Sequence, residues 1–414
     1  MPPSVLHLST YDANGGAARA AYALHRSMVD QGLASTLRVA HKTIDDDTIE
    51  GPSGLAVART KGAQLLDQQA WRLQRTDSQT WRSPALVGSI SAREINATNA
   101  DVVNLHWVTD GFLSIKEIGR INKPVVWSLV DMWPFAGTEH YGADTLDARW
   151  RTGYTKANRA PGEAGLDMDR LAWQRKRRLW NRPMTIVAAS TWMRERVAAS
   201  ALMRTWPGRQ IPHVVDTTAF HPVEQSAARE QLGLPAEVPL ILFLSSAGVH
   251  DARKGWDLLE RALPSVHARH PDVEVLIAGP VAPDFVSSTE VPLRWLGHIS
   301  GNESLSLLYS AADVSAVPSR EDNMPLAAME AQTCGRPVVA FRIGGLPDIV
   351  VHQGTGYLAE PFDLADLAHG IIEALDDSRH ERVWSHAARA RALATWSPTE
   401  VVKQYIDVYD EVTA

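Results

Sequence analysis

The sequence predicts an α/β protein made of two doubly wound halves, each of about 200 residues. Three observations carry that expectation. Short apolar runs alternate with longer helical patterns along the chain, the rhythm of βαβ units and parallel sheets. The rhythm breaks at 204–222, RTWPGRQIPHVVDTTAFHP, where three prolines and a glycine leave few helix formers and mark a linker. After that break the same rhythm starts again.

In the first half, strands are expected at 5–9, 35–40, 101–106, 124–130 and 185–190, with helices at 16–31, 111–121, 169–181 and 191–200. In the second, strands are expected at 240–246, 274–279, 293–297, 314–319 and 337–341. Its helices fall at 255–269, 302–312, 326–334, 363–376 and 380–394, and one more amphipathic helix closes the chain. Open parallel sheets bind ligands at the carboxyl ends of their strands. The chemistry is therefore sought in the loops after strands, where two such halves would face each other across a cleft.

The totals narrow the class. Of 414 residues, 45% are hydrophobic and 21% charged, ordinary for a soluble globular chain. A net charge of −7 argues against nucleic acid as a partner. The single cysteine, Cys334, excludes an internal disulfide and fits a reducing, cytoplasmic setting. No run is long and apolar enough for a membrane span, and the start lacks the look of a signal peptide. The 14 tryptophans are spread along the sequence and imply no single aromatic platform. The 15 histidines show no ligand spacing, so no metal is expected.

Candidate residues cluster after strands. Gly15 and Gly16 stand where the first strand becomes a helix. Such a pair serves a tight turn, or lets a phosphate approach the free amides of the helix start. In the stretch 317–341, VPSREDNMPLAAMEAQTCGRPVVAF, a polar loop with Asp322 precedes a helix opened by Pro325, and Glu330 lies little more than one turn inside it. Amides there would take a diphosphate and the acids would take ring hydroxyls. SSAGVHDARKGWDLLERAL places Arg253 and Lys254 after the first strand of the second half.

These stretches resemble the retaining, GT-B-fold glycosyltransferases of family four. Asp322 and Glu330, with seven residues between them, match the family's E-x7-E frame, with aspartate for the first glutamate. The resemblance implies that Asp322 meets hydroxyls of the transferred sugar and Glu330 the ribose. Lys254 matches the family lysine for the donor diphosphate; the place of the family arginine is Gly248 here, and Arg253 stands in for it. DVVNLHWVTDGFLSI and PVVWSLVDMWPFAGTEHYG resemble a branch with N-L-H-W and H-D-M-W-P-F motifs, with Val130 in place of the branch histidine. By that resemblance His106, Asp131 and Asp322 are catalytic. Gly15, Gly16, Arg253, Lys254, Gly297, His298, Ile299, Asn323, Met324, Pro325, Leu326 and Glu330 bind the donor.

The resemblance implies an enzyme: a metal-independent hexosyltransferase that needs no cofactor. It would move a hexose from a nucleoside diphosphate sugar to a hydroxyl of a glycan or lipid-linked glycan, in exopolysaccharide or surface-polysaccharide assembly. It also implies residues 1–205 as the acceptor-side domain, with helix 398–414 packed back on it, and 206–397 as the donor domain. Two alternatives stand beside it: a nucleotide-sugar 2-epimerase of the same fold, and a catalytically silent nucleotide-sugar-binding subunit. The aspartates at 45–47 read as a solvated loop. The basic helix 170–182, with six cations, is either a solvated face or a peripheral contact with the inner face of a membrane.

Overall fold

The computed structural model describes residues 2–76, 78, 80–280 and 285–414. The chain divides into two compact units, Met1–Ile211 with Val402–Ala414, and Pro212–Val401. The sequence reading draws its boundary at 205/206 and assigns 398–414 to the first half; the units divide at 211/212 and 401/402.

Unit 1 runs β1 (Val5–Tyr11), α1 (Gly16–Asp30), β2 (Ser35–His41), β3 (Ile49–Glu50), α2 (Leu55–Ala70), β4 (Gln74–Arg75), α3 (Ala92–Asn96) and β5 (Val102–Leu105). It continues with α4 (Ile115–Ile118), β6 (Val125–Leu129), α5 (Arg149–Thr152), β7 (Ala164–Gly165), α6 (Met168–Leu179), β8 (Thr185–Ala188), α7 (Thr191–Ala199) and β9 (Gly208–Gln210). Seven strands form a sheet in the order β3-β2-β1-β5-β6-β8-β9, and every pair in it is parallel. β4 and β7 make a separate antiparallel ribbon.

Unit 2 runs α8 (Gln225–Gln231), β10 (Leu240–Leu244), α9 (Trp256–Arg269), β11 (Glu274–Ala278), β12 (Leu293–Gly297), α10 (Asn302–Ala311) and β13 (Val314–Val317). Then come α11 (Leu326–Thr333), β14 (Val338–Phe341), α12 (Leu346–Ile349), β15 (Gly356–Ala359), α13 (Leu364–Arg379) and α14 (Val383–Trp396). Its six strands are ordered β12-β11-β10-β13-β14-β15, again all parallel. The last helix, α15 (Pro398–Thr413), carries Tyr405, whose hydroxyl lies 2.9 Å from Ser128 Oγ on β6.

Both sheets are doubly wound, as the alternating rhythm predicts. Their strands are buried on both faces: β5, β6, β13, β14 and β15 have no exposed residue, the signature of a sheet covered by helices on each side. In unit 1 the fold gathers tryptophans far apart in sequence. Trp127, Trp133, Trp150, Trp173 and Trp180 share one core, with the Trp127 and Trp180 ring centroids 5.3 Å apart. In unit 2 the core forms where Phe243, Ile277 and Phe341 of the sheet meet Leu259, Leu263 and Leu367 of α9 and α13.

Several elements depart from the sequence reading, among them α4, α2, β15 and β9. The helix expected at 111–121 contracts to the single turn of α4, because Gly111 takes φ +78° and the Ser114 hydroxyl then caps Glu117 N at 3.2 Å. α2 and β15 were not anticipated. β15 is only four residues long and opens on Gly356, too short to show periodicity. The linker stretch 204–222 contains β9, which pairs with β8 before the chain leaves unit 1.

Candidate functional site

Strand order reverses at one place in each sheet, between β10 and β13 in unit 2 and between β1 and β5 in unit 1. Loops leaving neighbouring strands on opposite faces open a crevice there. The residues singled out from sequence stand mostly on those four loops.

In unit 2 the loop after β10 ends at Gly255, with φ +72°. A Cβ at Gly255 would come within 2.0 Å of Pro318 O, so only glycine lets the two loops touch backbone to backbone. Arg320 N donates to Arg253 O at 2.7 Å across the same seam. The consequence is a charge cluster. Asp322 Oδ2 lies 2.6 Å from Lys254 Nζ, 3.3 Å from Arg253 Nη1 and 3.4 Å from Ser319 Oγ. Burial alone would raise the Asp322 pKa; Lys254 and Arg253 outweigh it and hold the carboxyl below its usual range. Arg253 also donates to Glu321 O at 3.2 Å.

Asn323 and Met324 follow, both buried. Pro325 is the N-cap, with extended ψ of 118°, and the helix begins at Leu326, the start of the expected range 326–334. Glu330 sits in the second turn of α11. It is 2% exposed and accepts a 3.0 Å hydrogen bond from the Tyr309 hydroxyl of α10. Gly297 ends β12 with φ +69° and open space beside it; its carbonyl accepts from Gly279 N at 2.8 Å. His298 is exposed and Ile299 half-buried.

Gly248 stands where the resemblance expects an arginine. It has φ +73°, and a Cβ there would meet Pro280 O at 2.8 Å. This backbone therefore disfavours any side chain at 248, and the guanidinium beside Asp322 comes from Arg253.

Four nearby residues lie outside the sequence reading. Gly344 has φ +54° and its Cβ position is 2.0 Å from Asp322 O, while Gly345 N donates to that same oxygen at 3.0 Å. The signal was present as the second glycine pair, RIGGLPD, directly after a strand. His213, in the linker stretch, is held down at about 4 by burial, opposed by the charge of Asp322. Tyr309 gave no signal, since one tyrosine on a helix reads as core.

In unit 1, Gly15 is the N-cap of α1 with φ 85°. Nothing lies within 4 Å of a Cβ built on Gly15 or Gly16, so the helix start is open. His106 follows β5, but its ring is turned into the sheet. It is 5% exposed, with Nε2 3.0 Å from His7 Nδ1 and 2.8 Å from Asn104 Nδ2. Asn104 continues the line to Ser128 Oγ at 3.2 Å. Asp131 is likewise engaged. Its Oδ2 accepts from Trp107 Nε1 at 2.9 Å and lies 2.5 Å from His140 Nδ1; Oδ1 accepts from Trp133 N at 3.0 Å. His140, not selected from sequence, supplies the imidazole next to Asp131.

The basic helix is less basic outside than its sequence suggests. Lys176 is fully buried and donates to Ala136 O at 3.1 Å and Gly137 O at 2.8 Å, and to Trp133 O. Trp173 and Trp180 are buried as well. Asp46, read as part of a solvated loop, accepts from Thr48 N at 2.8 Å and organises its own turn; Asp45 and Asp47 are exposed. Among the described residues, no group of three or more His, Cys, Asp or Glu is arranged to hold a metal ion.

Residues 238–377, the heart of unit 2, match the family model for glycosyl transferases group 1. The chain is 32% identical over 310 residues to a D-inositol 3-phosphate glycosyltransferase of Saccharomonospora viridis, covering 70% of this chain and 68% of that protein. It is also 32% identical over 202 residues to a GDP-mannose-dependent monoacylated alpha-(1-6)-phosphatidylinositol monomannoside mannosyltransferase of Corynebacterium glutamicum. That alignment spans 45% of this chain and about half, 52%, of the relative. Among solved structures, the fold is similar to sucrose-phosphate synthase from Thermosynechococcus elongatus, with TM-score 0.65, 18% identity and 99% of each chain covered. It is also similar to Anabaena HepE in complex with UDP and glucose, with TM-score 0.64, 16% identity and 99% and 100% covered.

Proposed function

Because the chain belongs to the glycosyl transferases group 1 family, with the GT-B fold, we propose that it moves a hexose from a nucleoside diphosphate sugar to an acceptor hydroxyl with retention. The observation that carries this reading is the cluster of Lys254, Arg253 and Asp322 beside the start of α11. Two cations next to open helix amides form a seat for a diphosphate. Asp322 neutralises the cations; an arriving diphosphate competes for them, and the freed carboxylate accepts sugar hydroxyls. As the glycosidic bond breaks, charge grows on the leaving diphosphate, and the same cations and amides stabilise it. No metal enters this scheme. Glu330, presented by α11, accepts ribose hydroxyls from its buried position.

In unit 1 the open glycine start of α1 is proposed, by itself, as a contact for phosphate or acceptor. His106 and Asp131 act there as positioning residues, since their ring nitrogen and carboxylate oxygens are already bonded within the unit. The acceptor is a hydroxyl-rich molecule: a glycan or lipid-linked glycan. The named relatives act on an inositol phosphate and on a phosphatidylinositol mannoside, which adds phosphorylated polyols to that class.

The test is product analysis. The protein is incubated with UDP-, GDP- and ADP-hexoses and a panel of glycans, glycolipids and inositol phosphates, and the anomeric signal is followed by NMR. The expected outcome is a glycoside with the donor's anomeric configuration, formed with one nucleoside diphosphate per turnover. An inverted anomeric centre would overturn retention. Conversion of the donor to an epimer without acceptor would overturn transfer.

A further inference from the structure

From the orientation of α2 we infer that this helix is a docking surface for an anionic lipid bilayer. The helix is inside out. A surface helix normally turns its apolar stripe inward. Here the residues facing the protein are Thr60, Ala63 and Asp67, spaced i, i+3 and i+7. Polar side chains make the inward contacts. Asp67 Oδ1 accepts from Leu86 N at 3.1 Å, while Gln64 and Gln68 donate to the two oxygens of Asp110 at 2.6 and 3.0 Å. The helix is firmly seated, because a Cβ at Gly111 would lie 2.4 Å from Gln64 N.

The leucines are left outside. Leu55 is 90%, Leu65 60% and Leu66 62% exposed. The apolar surface continues into Leu73, and Leu166 N donates to Leu73 O at 2.9 Å, which brings an exposed Leu166 alongside. Water-facing leucines at this density are costly unless something covers them.

Charge selects the cover. Residues 51–75 carry Arg59, Lys61, Arg72 and Arg75, all exposed, and their single acid is the buried Asp67. This basic segment belongs to a chain of net charge −7. Arg59 has one ion pair, at 3.7 Å from Glu94. Leucines at the centre of a helix face with cations on its flanks match a bilayer: side chains enter the acyl boundary while cations meet lipid phosphates. The basic helix α6 offers less of an anchor, because its tryptophan is buried and Leu171 is its one exposed leucine. Among the described residues no helix is long and apolar enough to cross a membrane, so α2 would lie on the surface.

The experiment is co-sedimentation of the full chain with unilamellar vesicles of phosphatidylcholine, with and without phosphatidylglycerol, for wild type, Leu65→Glu/Leu66→Glu and Arg177→Glu/Arg178→Glu. Wild type is expected to partition at least about tenfold more strongly onto anionic vesicles, and less in about 0.5 M salt. The leucine variant should lose about tenfold or more with an unchanged thermal melt, since both side chains face water. The α6 variant should keep most of the binding. Failure of wild type to partition, or equal partitioning of the leucine variant, overturns the inference. So does binding lost with the α6 variant alone, or a wild-type dimer that the leucine variant converts to monomer without any vesicle binding. None of these readouts depends on sugar transfer, so this inference and the proposed reaction fail separately.

Discussion

Lys254 and Asp322 form a contact in which the two partners have unequal tasks. The lysine is a compact cation at 2.6 Å from the carboxylate, and the seat depends on its charge. Lys254→Met is expected to weaken donor affinity by about tenfold or more, measured by calorimetry with the best nucleotide sugar, since a charge-assisted contact to phosphate is worth about 1.5–3 kcal/mol. Asp322→Asn should leave nucleoside diphosphate binding nearly intact and erode the preference among sugars. Gly248 makes a backbone prediction. Gly248→Ala should lower the stability of unit 2 by about 1–3 kcal/mol in urea unfolding, because it forces a side chain onto φ +73° against the Pro280 carbonyl. At this scale the sequence made the residue types of the seat legible: Lys254, Arg253, Asp322 and Glu330 stand on neighbouring loops and helices of one unit. It could not show that His106 turns into the sheet toward His7, since a histidine at a strand end gives the same letters whichever way its ring points. Nor could it show the second glycine pair touching Asp322, a contact 22 residues away along the chain.

The elements were legible where one face had to be apolar. Strands buried on both sides and helices with an inward stripe, such as α9 and α13, declared themselves by composition and period. α2 did not, because Thr60 and Asp67 interrupt its inward stripe and only Ala63 there is apolar. That inversion makes its own prediction. Burial holds the Asp67 pKa up at about 7, assisted by the charge of Asp110 and opposed by the bond from Leu86 N. The folded protein therefore keeps a proton at Asp67 that the unfolded chain releases near pH 4. Between about pH 4 and 7 the native state binds more protons, so this residue makes stability fall as pH rises. Asp67→Asn, which keeps the acceptor oxygen, should stabilise the protein at pH 8 by on the order of 1–4 kcal/mol. The gain should vanish below about pH 4; urea unfolding at both pH values measures it.

Across the whole molecule, several histidines are kept neutral. Burial pushes His25 down to about 4, and His213 likewise. Burial, with the charges of His106 and His25, pushes His7 well below its ordinary value. An unfolded chain takes up protons at these sites near pH 6.5 while the folded units refuse them, so stability is lost as pH falls from about 6.5 toward 4. In the Asp67→Asn background, which removes the opposing titration, urea unfolding at pH 7.5 and pH 5 should show a loss on the order of 2 kcal/mol or more. The two-unit plan was readable at this scale because the rhythm stops and restarts. The place of the division was blurred, since β9 hides inside a proline-rich stretch that looks like linker throughout. Donor binding rests on the diphosphate seat of unit 2, and ligand-induced thermal stabilisation probes that seat. With UDP-, GDP- and ADP-sugars at a hundredfold over Kd, a binding donor should add about 2.7 kcal/mol to stability and raise Tm. At least one donor is expected to raise the wild-type Tm, and Lys254→Met and Glu330→Gln are each expected to lose most of that rise. Full retention of the shift in both variants would contradict the seat.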